Sequence, residues 1–502
     1  MKRAMFTILF AAITMISTVG AAEKKIVIDF ENPTAVKLSD NQAKSQIVRS
    51  DDGNRLQIIN DAAAAYPGVN LKPATGGKWD LGGYDVVEMD VYNPQDVPVR
   101  VLLALQSGGK SDGHNRNTES VTVPARSNGK LVVPYGMWHG ASGNDIDWSN
   151  IVSMQIMLDK PRRSHTFQVD NIRAVNLGRM TVEEALADPF FEQLKTGYGR
   201  GVNLGNALDA PREGAWGVTL KEEYFDLFAQ AGFDSVRIPC RWSAHAAKEK
   251  PYAIDPKFRD RVDWVINNCL KRRLIPILNI HHYGEVMDDP DGHRERFLAL
   301  WRQLSTHYKD YPSALAFELL NEPSHNLGVV QWNRMLAEAI AVVRETNPKR
   351  KIVVGPADWN SLRKLDQLEL PEDDRNLVVT FHYYDPFKFT HQGASWVGGN
   401  SNAWLGTRWT GTEEEKAEVR KALDKAIAWG VANRRPIYMG EFGAYSKADI
   451  ESRVRWTRFV AEEALKRKIS IAYWEFCASF GVYDPNKGKW NEPLREALLG
   501  SE

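Results

Sequence analysis

The chain has 502 residues, 43% hydrophobic and 25% charged, which excludes a largely disordered chain and exceeds what one ordinary core organises. Lysine plus arginine and aspartate plus glutamate both total 64, so no net field exists to hold a nucleic-acid backbone or an anionic membrane surface. The 16 tryptophans, 16 tyrosines and 19 phenylalanines suit a neutral, polar partner with flat apolar faces.

The chain opens with Lys2 and Arg3, continues through an apolar run from Ala4 to Val19 and reaches the small residues Gly20, Ala21 and Ala22. This pattern predicts an export signal over residues 1–22, cut near Ala22, and the run is too short for a comfortable membrane span. The expectation is a periplasmic or extracellular protein with no membrane anchor after cleavage. Cys240, Cys269 and Cys477 are too few and too scattered for a disulfide framework and read as buried free thiols.

Residues 23–175 read as short strands separated by Gly, Asn, Asp and Pro. The clearest are Ile26 to Phe30, Arg55 to Ile59, Val86 to Val91, Val99 to Leu105, Ser120 to Val123, Lys130 to Val133, Ser153 to Leu158 and Thr166 to Val169. Several alternate apolar with polar residues and none shows helical periodicity, which predicts an all-β jelly-roll sandwich. Residues 176–196 connect it to the rest, with a helical stretch over Thr181 to Leu194. From 197 to 502 the texture alternates, and apolar segments recur at Gly201 to Leu208, Asp234 to Trp242, Leu274 to His281, Ala314 to Leu320, Lys351 to Gly355, Leu377 to His382, Pro436 to Glu441 and Ile469 to Trp474. Amphipathic stretches lie between them, among them Lys221 to Ala231, Phe258 to Lys271, Glu295 to Tyr308 and Val329 to Thr346. Eight β-then-α units predict a closed (β/α)8 TIM barrel, an α/β domain behind the sandwich.

Such a barrel carries its reacting groups at the carboxyl ends of its strands. Those ends hold Asn206 with Asp209, Arg237 with Trp242, His281 with His282, Asn321 with Glu322, Trp359, His382 with Tyr384, Glu441, and Trp474. Polar groups at a barrel mouth are costly to desolvate without partners, so they satisfy one another or a polar, uncharged ligand. Two ends, LLNEP and YMGEFG, offer a carboxylic acid as their main reactive group. Cleaving a glycosidic bond takes such a pair: one carboxylate attacks, and the other protonates the departing oxygen. Strands four and seven stand across the barrel, so Glu322 and Glu441 can converge over its axis. The charge on Glu441 is expected to help keep Glu322 protonated. Arg237 can fix the ionised form of Glu441, and the amide of Asn321 can meet a sugar hydroxyl. His382 and Tyr384, two apart on a strand, share one face and can orient a carboxylate. Trp474 offers a flat surface for a sugar. A zinc site at His281, His282, His382 and His391 is disfavoured: adjacent His281 and His282 point apart on a strand, and no HExxH or paired-Cys spacing accompanies them. No metal is expected in the reaction.

At these residues the chain resembles glycoside hydrolase family 5, over about Gly197 to Leu499. The segments GVNLGNALDAP, SVRIPCRWS, NIHHYGEVM, ELLNEP, FHYYDPF, HQGASW, PIYMGEFGAYSKAD and AYWEFCASFGVYD are similar to bacterial endoglucanases of that family in order and spacing. The resemblance implies Glu322 as acid/base and Glu441 as nucleophile, with support from Arg237, His281, Asn321, His382, Tyr384 and Trp474. It implies substrate contacts at Asn206, His282, His391 and Trp396. Where similar sequences carry Glu after GNAL, this chain has Asp209, shortening that contact by a methylene. The expectation is a retaining endo-β-1,4-glucanase of the cellulase type acting on a β-linked polysaccharide, as a monomer and without a catalytic cofactor. The alternative is a β-mannanase or mixed glucan/mannan hydrolase. A non-catalytic carbohydrate-binding protein is the reading from another class, and the presence of both glutamates argues against it. The loop 386–412, with Trp396, Trp404 and Trp409, is expected to wall the cleft, although for Trp404 and Trp409 plain packing is an equal reading. The front sandwich resembles carbohydrate-binding modules through its strand pattern and the closing FQVDNIRAV. Tyr66, Trp79, Tyr84, Trp138 and Trp148 are its candidates for sugar stacking or core packing. Jelly rolls of this type often hold a structural calcium ion, for which the sequence singles out no ligand set.

Overall fold

A computed structural model describes residues 23–62, 64–74, 76–108, 115–134 and 146–500. The export segment 1–22 and Trp138 lie outside the described residues. The front region is eleven strands: β1 (Glu23–Ile28), β2 (Val36–Asn41), β3 (Ala43–Ser50), β4 (Gly53–Asn60), β5 (Gly68–Pro73), β6 (Val86–Asn93), β7 (Val99–Ser107), β8 (Arg116–Val123), β9 (Ser127–Pro134), β10 (Ile151–Leu158) and β11 (Thr166–Asn176). They form two antiparallel sheets, one ordered β3-β4-β11-β6-β9 with β1 added to β11, the other β2-β5-β10-β7-β8. Alternate residues of both sheets, such as Leu56, Ile58, Leu71, Met89, Leu103, Leu131 and Phe167, are sealed in one apolar core. That arrangement is a β-sandwich.

Three of these strands escape the sequence pattern, each for a physical reason. β2 and β3 bury one residue and none respectively, so their apolar periodicity is weak. β5 lies inside its sheet but is short and opens at Gly68, where a Cβ would stand 1.9 Å from the Ile156 carbonyl oxygen. The helical stretch predicted over 181–194 is split. Thr181 caps a helix over Val182–Ala187, then Pro189, which has no N–H to donate, starts a separate 3-10 turn over Pro189–Gln193.

The second region is a closed parallel barrel in chain order: β12 (Arg200–Asn203), β13 (Ser235–Ile238), β14 (Ile275–Asn279), β15 (Ala316–Glu318), β16 (Ile352–Val354), β17 (Leu377–Tyr383), β18 (Ile437–Phe442) and β19 (Ser470–Tyr473). Every strand falls within one of the eight predicted segments or within one residue of it. The predicted helices are found at Glu222–Ala231, Pro256–Lys271, Pro290–His307 and Val329–Arg344. Around the barrel runs a continuous shell of buried Leu, Ile, Val, Phe and Trp. Inside, near the strand starts, Tyr198, Ile277, Ala316, Val353, Val378, Tyr438 and Ala472 fill the bore. The three cysteines are free and buried.

Candidate active site

Above that apolar plug the bore turns polar, and Arg237 of β13 is its hub. The side chain is fully buried and all five of its N–H donors are used. Nε and Nη2 donate to the two carboxylate oxygens of Glu318, at 2.7 and 2.6 Å. Nη1 donates to Asn203 Oδ1 at 2.9 Å and to Glu441 Oε1 at 2.6 Å. Nη2 also donates to Asn321 Oδ1 at 2.7 Å, which leaves the Asn321 amide N–H groups free to face a ligand. A bidentate pair on one side and a carboxylate on the other is geometry that a guanidinium fork provides and an ammonium does not.

Glu441 is held from both sides, since its Oε2 accepts the Tyr384 hydroxyl at 2.8 Å. The register of β17 against β18 shifts between Phe381 and His382, which sets His382 opposite Glu441. Gly440 permits this close approach, because a Cβ there would lie 2.6 Å from Thr380 Oγ1. His382 Nδ1 is 3.6 Å from Glu441 Oε2 and shares a 2.7 Å hydrogen bond with Glu322 Oε1. One carboxylate oxygen from each glutamate and a ring nitrogen of His382 all lie within 4.8 Å of one another. The Glu322 side chain is 28% exposed and its backbone is left-handed, φ 49°, which turns it from the end of β15 into the mouth. Both side chains thus reach one place over the barrel mouth.

Charge in this pair is coupled. Burial raises both carboxyls. On Glu322 the hydrogen bond and charge of His382 overcome burial, so the group is lowered. On Glu441 burial, aided by the charge of Glu322, exceeds the pull of His382 and Arg237, so the group is raised. In the free site the bias thus runs opposite to the expectation that the charge of Glu441 helps keep Glu322 protonated, and His382 is the cause. Burial, followed by the charge of Glu441, holds the Tyr384 phenol well above its usual range, so it remains a donor. His281 is pushed well below its usual value, by burial and then by the charges of His282, Arg237 and His382. Burial takes His391 down to about 4.

The remaining sequence candidates form the walls. The Trp474 ring lies parallel to His281 at 5.6 Å and 8°. His281 and His282 do not point apart: both lie past the end of β14, His282 is left-handed with φ 49°, and their rings meet at 4.4 Å. Asp209 is fully buried behind them, its Oδ1 accepting the Ala207 N–H and its Oδ2 3.6 Å from His282 Nε2. It therefore sits one layer behind the surface a ligand meets. Asn206 borders a cavity of about 580 Å3 shared with Trp216, Ser479 and Asn486. His391 is buried, stacked on Phe387 at 4.1 Å and edge-on to Tyr384. Trp396 is 56% exposed at the cleft side, against Tyr445, whereas Trp409 is core. Trp404 meets Phe387 edge-on. Trp242 turns away from the mouth, its Nε1 donating to the Asn279 carbonyl.

Sequence reasoning passes over Glu318, Asn203, Asn360 and Glu475. Glu318 was legible in principle as an acidic residue inside an apolar strand, which is rarely buried without a cation. Glu475 accepts the backbone N–H groups of Cys477, Ala478 and Phe480 and so ties down the loop after β19. Burial, opposed by those bonds, pushes it up to about 7. Among the described residues two groups of three have metal-ligand types close together, Asp209–His281–His282 and Glu322–His382–Glu441, and neither is in the sandwich.

An eight-stranded parallel barrel with two glutamates facing each other across its carboxyl-end mouth defines a glycoside-hydrolase type of enzyme. Residues 197–479 match the model of the cellulase family, glycosyl hydrolase family 5, and the chain belongs to that family. It is 38% identical over 308 residues to Endoglucanase H of Acetivibrio thermocellus, covering 61% of this chain and 32% of the relative. It is 30% identical over 328 residues to Cellulase/esterase CelE of the same organism, covering 61% and 38%. The chain thus spans about a third of the length of these curated relatives. Crystal structures of Thermotoga maritima Cel5A, one with mannotriose and one with cellobiose, are 51% identical at a TM-score of 0.60, over 62% of this chain and all of theirs.

Proposed function

We propose that the chain is an exported, retaining endo-β-1,4-glucanase that works as a monomer without a catalytic cofactor. The observation that carries the mechanism is the gap of at most 4.8 Å between Glu322 and Glu441 oxygens. A retaining pair stands about 5 to 5.5 Å apart, and an inverting pair about 6.5 to 9.5 Å to admit water. In the first step Glu441 attacks the anomeric carbon while Glu322 gives its proton to the departing oxygen. In the second, water attacks that carbon, Glu322 takes the proton, and Glu441 leaves as a carboxylate. Two inversions retain configuration. The reactive microstate has Glu322 protonated and Glu441 ionised, and the Arg237 and Tyr384 bonds favour the ionised Glu441 in it. Asn321, Trp474, His281 and His282 would orient the sugar, with Asn206, Asp209, His391 and Trp396 supporting neighbouring positions.

The names of the relatives support glucan as substrate, and the mannotriose complex of Thermotoga maritima Cel5A favours a second reading, mixed glucan/mannan hydrolysis. Reducing-sugar release from carboxymethylcellulose, lichenan, glucomannan and xylan separates the two. Glu441→Gln should lower kcat by about 10^4-fold or more while leaving the fold intact; activity surviving it rejects Glu441 as nucleophile. The α-anomer appearing first by NMR rejects retention. The sandwich is assigned to carbohydrate binding. Of its ring candidates Trp148 is core, Trp79 and Tyr84 pack against the core, and Tyr66 is exposed. Tyr66→Ala should therefore weaken retention on insoluble cellulose.

A further inference from the structure

The sandwich grips the two loops that carry the acid/base side of the cleft. Its sheets end in β8 and β9, edges that would otherwise be open. Val330, at the start of helix Val329–Arg344, packs against the sandwich core there, and a Cβ at Gly129 of β9 would lie 3.5 Å from its Cγ2. Val330 follows Glu322 by eight residues, just past the end of the loop that carries Glu322. The second grip is on the loop after β16. Glu119 of β8 accepts a 2.8 Å hydrogen bond from Lys364 Nζ, both side chains being 6% exposed, and its other oxygen lies 3.8 Å from Arg363 Nη1. Arg363 Nη2 in turn donates to Asp358 Oδ2 at 2.6 Å.

Asp358, Trp359 and Asn360 are three consecutive left-handed residues, with φ of 64°, 60° and 54°. L-residues hold such a run only where their surroundings enforce it. From it the Trp359 N–H donates to the carbonyl of Pro323, the residue after Glu322, at 3.2 Å. The Asn360 amide, fully buried, meets His382 Nε2 at 3.2 Å, and His382 Nδ1 bonds Glu322. The contact at Nε2 fixes the ring orientation that turns Nδ1 toward Glu322.

We propose that the sandwich clamps the acid/base loops, and that Glu119, through Lys364 and Arg363, is a positioning residue that keeps Asn360 on His382 and His382 on Glu322. The inference rests on Glu322 being the acid/base. Its signature is selective, because the hydrogen bonds of Glu441 go to Arg237 and Tyr384, whereas that of Glu322 goes to His382. Loosening the clamp should impair proton donation to the leaving oxygen and spare nucleophilic attack.

The test uses the full chain carrying Glu119→Gln or, on the barrel side, Arg363→Met, which leaves the Glu119–Lys364 contact in place and serves if the first variant folds poorly. kcat/KM is measured on a soluble cello-oligosaccharide and on 2,4-dinitrophenyl β-cellobioside, whose phenolate departs without a proton. The expected result is a loss of about tenfold on the oligosaccharide, part of the ~10²–10⁴ a positioned acid supplies, and less than about twofold on the aryl glycoside. Equal losses on both substrates, or none on either, overturn the clamp. Glu322→Gln run alongside should show the same split more strongly; if it does not, the acid/base reading itself has failed rather than the clamp.

Discussion

The two layers inside the barrel are built from opposite materials. Near the strand starts Ile277, Ala316, Val353, Val378 and the rings of Tyr198 and Tyr438 fill the bore by apolar contact, the tyrosines edge to face at 5.3 Å. Near the strand ends Asn203, Arg237, Asn279, Glu318 and Glu441 occupy the same bore, all buried. Burying the first set stabilises the fold; burying the second costs desolvation and is offset by mutual hydrogen bonds. The lower layer thus gives the upper one a rigid base, and the upper layer trades stability for orientation.

Substitutions can break that contrast. Arg237→Met strands Glu318 and frees Glu441, and should lower kcat/KM on the order of 10^3-fold while destabilising by about 3–5 kcal/mol in chemical denaturation. Adding Glu318→Met should restore most of the stability and none of the activity. If activity returned with stability, orientation would not be the function of the upper layer. In the lower layer Ile277→Ala should cost about 2–5 kcal/mol and leave kcat/KM almost unchanged below the unfolding transition. Tyr384→Phe removes one donor to Glu441, worth about 1.5–3 kcal/mol, and should slow turnover roughly 10- to 100-fold without a matching stability loss.

The smallest effect sharpens the electrostatics. His382 favours the ionised form of both glutamates, so His382→Ala should raise both carboxyls. As the proposed acid Glu322 works only while protonated, so the limb of the kcat/KM profile that it sets should move to higher pH. As the proposed nucleophile Glu441 works only while ionised, so its limb should move the same way. A profile that stays in place, whatever its height, would show that His382 does not govern these protons.

What a sequence reader can see follows the same division. All eight barrel strands are legible because strands buried on both faces read as apolar runs, and their polar ends stand out against them. The catalytic candidates sit at those ends, so Glu322, Glu441, Arg237 and Tyr384 can be picked out without coordinates. Glu318 and Asn203 vanish into the runs they interrupt. Asn360 is harder still, since its importance lies in a left-handed turn and a partner 22 residues away. The adjacent His281 and His282 mislead because strand alternation ends with β14 at Asn279. In the sandwich β2 and β3 are mute because almost none of their side chains is buried.

Three indoles are exposed among the described residues: Trp216 and Trp359, each 42%, and Trp396, 56%. Each packs edge-on against a ring from a loop that follows a barrel strand, Trp216 on His282 after β14, Trp359 on His325 after β15 and Trp396 on Tyr445 after β18. Trp242, Trp301, Trp332, Trp409 and Trp456 are sealed and would emit as rings in an apolar medium whatever the cleft contains. Occupancy of the cleft should therefore be visible in intrinsic fluorescence as a blue shift confined to the long-wavelength shoulder, and Trp396→Phe should remove part of that signal. The protein would carry its own optical gauge of a filled cleft, readable on a catalytically dead variant before any product exists.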